Sequence, residues 1–158
     1  MYEYSCVVDR VVDGDTVDVT IDLGFKIFHK ARVRMYGIDT PESRTRNKDE
    51  KARGLLAKSF LQEQIDTCTK LVIQTKKDAK GKFGRILGDL VADGKNINQL
   101  MIAKHMAVRY IGQSKSDIES EHLLNRKVLI QEGLFTPVEK WMTLYKLLMK
   151  SDFLLQQH

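Results

Sequence analysis

The chain has 158 residues and a formal net charge of +5, from 26 Lys and Arg against 21 Asp and Glu; this is about one domain's length, and the basic balance favours polyanionic partners. With 42% hydrophobic and 30% charged residues and only two Pro, the composition excludes a disordered or collagen-like chain. Two cysteines far apart, Cys6 and Cys68, supply neither a disulfide framework nor zinc-ligand spacing, and no stretch approaches the roughly 18 apolar residues of a membrane span.

Segment 4–12, rich in β-branched residues, reads as a first strand. The N-terminal segment carries Glu3, Asp9 and Arg10 and lacks the apolar run of a signal peptide, so a cytoplasmic location is expected. From Thr16 to Leu23 apolar and polar residues alternate, with Val17, Val19, Ile21 and Leu23 on one face and Asp18, Thr20 and Asp22 on the other. A third strand is predicted over 28–36, after the turn around Gly24. Helical period follows over 50–66, where Leu56, Phe60 and Ile65 fall near one stripe and Gly54 is a weak point. Strand character returns over 71–75 and 86–92, joined by a Lys- and Gly-rich loop and ended by Asp93-Gly94.

Asn98 is placed to cap a helix from 99 to about 107, and an amphipathic helix over 117–132 is closed by Gly133. The order β-β-β-α-β-β-α-α predicts an α+β domain over residues 1–135, a five-stranded OB-fold β-barrel with packed helices. Residues 136–158 form a helical extension. Pro137 suits its start, and Val138, Trp141, Met142, Tyr145, Leu148 and Met149 recur at three- and four-residue spacing. That stripe must be covered, either by the barrel's own helices or by a second copy, so a monomer or a homodimer through this helix is expected.

Three segments concentrate chemistry-bearing residues. Asp13-Gly14-Asp15 separates the first two strands and, taken alone, reads as a turn. Arg34, at a strand end, is followed by Asp39 and Glu42, two carboxylates three residues apart. Lys82-Phe83-Gly84-Arg85 leads into the fifth strand, with a glycine permitting close backbone approach and an arginine beyond it. Between Lys76 and Arg85 stand five basic residues against one acid, Asp78.

Together the strings VVDGDTV, RVRMYGIDTPE and KFGRILG resemble the staphylococcal nuclease, or thermonuclease, family in order and spacing over roughly residues 4 to 135. The resemblance implies a Ca²⁺-dependent phosphodiesterase on an OB barrel that cleaves DNA and RNA and leaves 3′-phosphate ends. It makes Asp15 and Asp39 side-chain ligands of one Ca²⁺, with the Thr40 carbonyl completing the protein's share, a hard-oxygen set suited to that ion. Glu42 matches the residue that activates the attacking water, as a base or by orienting it. Arg34 and Arg85 match the two arginines that grip the scissile phosphate, a task suited to a planar, permanently charged fork. Lys80, Lys82 and Phe83 fall where flanking nucleotide phosphates are held, and Tyr110 corresponds to a tyrosine at base or phosphate. Phe83 departs from the family, which often has tyrosine there, so one hydroxyl contact is lost while a stacking surface is kept.

The four histidines, at 29, 105, 122 and 158, lack ligand spacing and read as structural or solvated. Another class of function, a catalytically inactive OB-fold nucleic-acid-binding module, is disfavoured because Asp15, Arg34, Asp39, Glu42 and Arg85 are all present. A single-strand-binding barrel relying on aromatics fits poorly with 8% aromatic content and with clustered carboxylates that repel phosphate. A compact nuclease without an export signal suits a phage-encoded enzyme acting in the host cytoplasm.

Overall fold

Alternation builds the first three strands. β1 (Glu3–Asp13), β2 (Thr16–Asp22) and β3 (Phe28–Met35) form an antiparallel meander. Val17, Val19, Ile21, Val33 and Met35 point inward and are almost fully buried. β2 ends at Asp22, so Leu23 does not join its inward row and is exposed. β1 carries register shifts between Val8 and Arg10 and between Val11 and Asp13, irregularities that bend a strand and help a small sheet curl. The computed structural model describes residues 2–81 and 84–155, the side chains of 77–81 and 151–155 excepted.

β5 (Leu71–Gly81) pairs antiparallel with β1 and with β6 (Arg85–Ala92), and β6 pairs parallel with β3. That last ladder closes five strands into a barrel. β5 runs well past the predicted end at Thr75, because the Lys-rich segment read as a loop continues the ladder as far as Gly81 opposite Arg85. β7 (Lys95–Asn96) extends β6, and the two-residue strands β4 (Ile38–Asp39) and β8 (Val108–Arg109) pair outside the barrel.

Among the described residues, four helices complete the fold. α1 (Lys48–Thr67) is capped by Asn47, whose side chain accepts from the Asp49 and Glu50 amides. Its buried line is Arg53, Gly54, Ala57 and Leu61, while Leu56, Phe60 and Ile65 pack only partly against the core. α2 (Ile97–Ala103) starts two residues earlier than predicted, because Asn96 and not Asn98 is the cap. Asn98 is instead fully buried: its Nδ2 donates to the carbonyls of Tyr36 and Gly88 and to Asp89, and its Oδ1 accepts from the Leu90 amide. It ties β6 to the turn after β3. α3 (Lys115–Gln131) is capped by Ser114 and contributes Leu129 and, just beyond, Phe135 closes the same core.

Of the two coverings expected for the terminal stripe, the chain's own helices or a second copy, the first is not what α4 (Val138–Leu155) shows. Trp141, Met142, Tyr145, Leu148 and Met149 are all more than half exposed. No helix among the described residues is long and apolar enough to cross a membrane.

Candidate active site

The turn between β1 and β2 brings Asp15 inward, where its backbone sits against α1. Gly14 allows this approach: a Cβ there would lie 2.9 Å from the Ala57 Cβ and 3.0 Å from the Thr40 methyl carbon. Asp15 is 8% exposed and accepts from the Thr16 hydroxyl at 2.9 Å and from the Thr40 amide at 3.1 Å. Burial pushes its carboxyl above the usual range, against the pull of Arg34 and of these two hydrogen bonds.

Arg34 lies opposite Thr16 in the β2–β3 ladder, so the strand register carries its guanidinium to the same end of the barrel. Its Nη1 is 2.9 Å from Asp15 Oδ2 and its Nη2 is 3.3 Å from Asp39 Oδ1. One arginine thus bridges two carboxylates from different segments. Asp39 sits in β4, held in place by the ladder to β8.

Glu42 follows Thr40-Pro41 and is exposed. Partial burial, then the charges of Asp13, Asp15, Asp39 and Glu50, push its carboxyl up. Its backbone is pressed by α1: a Cβ on Gly54 would fall 2.6 Å from the Glu42 carbonyl carbon and 2.7 Å from the Pro41 oxygen. Ser43, buried beside it, donates its hydroxyl to Asp13. The glycine in α1 is therefore a contact requirement of the Glu42 segment.

Two clefts meet at this rim. One, of about 820 Å³, is lined by Arg34, Tyr36, Asp39, Lys76, Leu87, Arg85, Arg109 and Tyr110. In the parallel β3–β6 ladder Arg34 pairs with Leu87, two residues from Arg85, so both arginines share a face. Lys76 lies over the Tyr36 ring at 5.4 Å and pairs with Asp89 at 3.3 Å. The other cleft, of about 830 Å³, runs past Asp39, Thr40 and Glu42 between the start of α1 and α3. Tyr110, whose amide donates to Gly37, lines both. Lys82 and Phe83 lie outside the described residues, as does the side chain of Lys80.

Sequence reasoning passed over two contributions from α3. His122 Nε2 is 2.8 Å from Asp39 Oδ2, and Arg126 makes paired hydrogen bonds to Asp49, which also accepts from Arg53. The signal was present as helical spacing: His122, Asn125, Arg126 and Leu129 follow i, i+3, i+4, i+7, with a core leucine at the end.

A family model described as "Staphylococcal nuclease homologue" matches residues 32–133, a span that includes Arg34, Asp39, Glu42 and Arg85. The chain belongs to the staphylococcal nuclease family. It is similar to endonuclease YhcR of Bacillus subtilis, 29% identical over 114 residues covering 68% of this chain and 9% of that protein. The prophage-derived endonuclease YokF of the same organism is 30% identical over 118 residues, 69% of this chain and 38% of YokF. The staphylococcal-like nuclease CAN1 of Arabidopsis thaliana is 30% identical over 87 residues, 54% of this chain and 24% of CAN1. The chain spans less than half the length of these curated relatives.

For a staphylococcal nuclease the donor set suits a hard divalent cation. Asp15 and Asp39 are held on either side of one guanidinium and Thr40 is buried next to Asp15; all three offer oxygen donors. A buried carboxylate whose affinity for protons is raised gains from a cation placed beside it. Among the described residues, no three or more His, Cys, Asp or Glu side chains close into a ready cage.

Proposed function

We propose that this chain is a Ca²⁺-dependent nuclease that hydrolyses phosphodiester bonds of DNA and RNA and leaves 3′-phosphate ends. The observation that carries the reading is the pairing of Arg34 with both Asp15 and Asp39, at a rim where a cleft lined by Arg34, Asp39 and Arg85 meets one lined by Asp39 and Glu42. Acids alone would repel a phosphodiester and arginines alone would only hold one; both together suit hydrolysis. In this reading Asp15, Asp39 and the Thr40 carbonyl hold the Ca²⁺. When bound, the ion neutralises the acids and polarises a phosphoryl oxygen.

Glu42 takes the proton of the attacking water, and its raised affinity for protons suits a carboxylate that must accept one. The water oxygen forms a bond to phosphorus, the opposite P–O5′ bond breaks, and the departing oxygen takes a proton from solvent. The phosphate stays on the 3′ side. Arg34 and Arg85 meet the charge that builds on the phosphoryl oxygens. Lys80, Lys82, Phe83 and Tyr110 hold the flanking nucleic acid, the lysines at its phosphates and the rings at its bases. Residues 1–135 carry this activity and residues 136–158 are a helical extension to it.

The test is incubation with DNA and with RNA in Ca²⁺, in Mg²⁺ and in excess chelator, followed by end-group analysis. Cleavage in Ca²⁺ alone, with 3′-phosphate products, is the expected result. Undiminished cleavage in chelator removes the metal assignment. Tight nucleic-acid binding without cleavage under every condition returns the chain to the binding-module class.

A further inference from the structure

We infer that His122 is a positioning residue for the metal ligand Asp39, holding one carboxylate oxygen so that the other stays turned toward Asp15 and the proposed cation; this rests on the calcium reading given above. A carboxylate beside a guanidinium tends to engage it with both oxygens. Asp39 does not. Its Oδ1 faces Arg34 Nη2 at 3.3 Å, while its Oδ2 is taken by His122 Nε2 at 2.8 Å. Facing a carboxylate, Nε2 must carry the proton and donate, and this holds for either charge state of the ring.

His122 is well placed for a fixed donor. Its side chain is 12% exposed, and α3 is anchored over the two turns that follow the contact. Arg126 ties it to Asp49 at the start of α1, with Nη2 at 3.0 Å from Oδ2. Asn125 Nδ2 donates to the Ala107 carbonyl at 3.1 Å, just before β8, the strand that pairs with Asp39. Leu129 is buried in the core one turn further on. The helix therefore delivers an N–H to the back of the metal ligand from a rigid support. Outer partners of this kind orient a ligating carboxylate, and their loss costs about 10- to 100-fold in metal affinity.

The experiment is calorimetric titration of the full chain with CaCl₂, in the absence of nucleic acid, for the wild type, His122→Ala, His122→Gln and Asn125→Ala. His122→Ala is expected to weaken Ca²⁺ binding about tenfold or more, and His122→Gln, whose amide can donate from a similar reach, to recover most of it. Asn125→Ala removes one support of α3 but leaves the His122 ring in place, so it should lower the melting temperature while weakening Ca²⁺ binding less than His122→Ala does. If His122→Ala does not fold, His122→Leu takes its place, filling the volume without a donor. An unchanged constant in the donor-less variant, or equal losses in it and in Asn125→Ala, overturns the positioning role while leaving the calcium reading intact. A wild-type chain that takes up no Ca²⁺ overturns the calcium reading itself, and this inference with it.

Discussion

Glu42 is where charge and chemistry conflict most openly. Burial and four neighbouring acids push its carboxyl up, so the folded state binds its proton more tightly than the unfolded chain does. Such a group favours the fold at acid pH, below its unfolded value, and that advantage is lost as pH rises through its folded value. Glu42→Gln is therefore expected to melt higher than the wild type at neutral pH without metal, with the difference vanishing under acid conditions, while turnover falls strongly. Thermal unfolding across pH, read beside cleavage rates, checks both signs. A variant that is faster, or less stable at neutral pH, contradicts the assignment. Ca²⁺ is expected to raise the wild-type melting temperature, since an ion bound only by the native state at a hundred times its dissociation constant adds about 2.7 kcal/mol. Arg85→Ala should lower turnover on the order of 10²-fold, as for loss of one transition-state donor, and a wild-type rate would place the phosphate elsewhere.

At the scale of elements, the helix that frames the site shows how a local preference and a contact can point in opposite directions. An alanine in place of Gly54 gains about 1 kcal/mol of helix propensity. Its Cβ, however, would stand 2.6 Å from the Glu42 carbonyl carbon, and overpacking of this kind costs about 1–3 kcal/mol. Because the clash is with backbone, no side-chain rotation relieves it. Gly54→Ala is expected to be no more stable than the wild type and to lose activity through displacement of the Glu42 segment; a stabilised, fully active variant would show that α1 does not press on that segment. The sequence announces Gly54 only as a helix weakness, since nothing local records what lies across from it. The same limit explains Asn98. Asn96 and Asn98 both precede an apolar run, and only tertiary burial decides that one caps α2 while the other serves Tyr36, Gly88, Asp89 and Leu90. By contrast, the alternation of β2 and the acid and arginine strings were legible, because period and motif are local. The β4–β8 ladder, two residues on each side, leaves no period to read, yet it is what sets Asp39 beside α3. His122 has no histidine or cysteine at ligand spacing, and only its place on the face of α3 that carries Asn125, Arg126 and Leu129 points to the site.

For the whole molecule, the unresolved demand is the face of α4. The barrel and its three helices already enclose a continuous core, from Cys6 and Val11 through Ile73 and Leu90 to Leu129 and Phe135, so the terminal helix is not needed to close it. Glu139, in its first turn, approaches Arg126 and the second cleft, but the stripe beyond stays in water. Trp141, Met142, Tyr145, Leu148 and Met149 are 62%, 55%, 61%, 62% and 51% exposed, and a large apolar side chain left in water forgoes about 1.5–3 kcal/mol relative to full burial. Five such groups along one helix exceed the scattered apolar exposure that ordinary surfaces carry. An isologous pairing of two α4 helices uses the same stripe twice and needs no further surface. The expected outcome is that the full chain sediments as a dimer and that a chain ending at Thr136 sediments as a monomer with its barrel still folded. Trp141 is the only tryptophan, so its emission reports on this face alone and should shift to shorter wavelength as the dimer forms with rising concentration. A full-length chain that stays monomeric, with Trp141 emission as in water at every concentration, rules out pairing through α4.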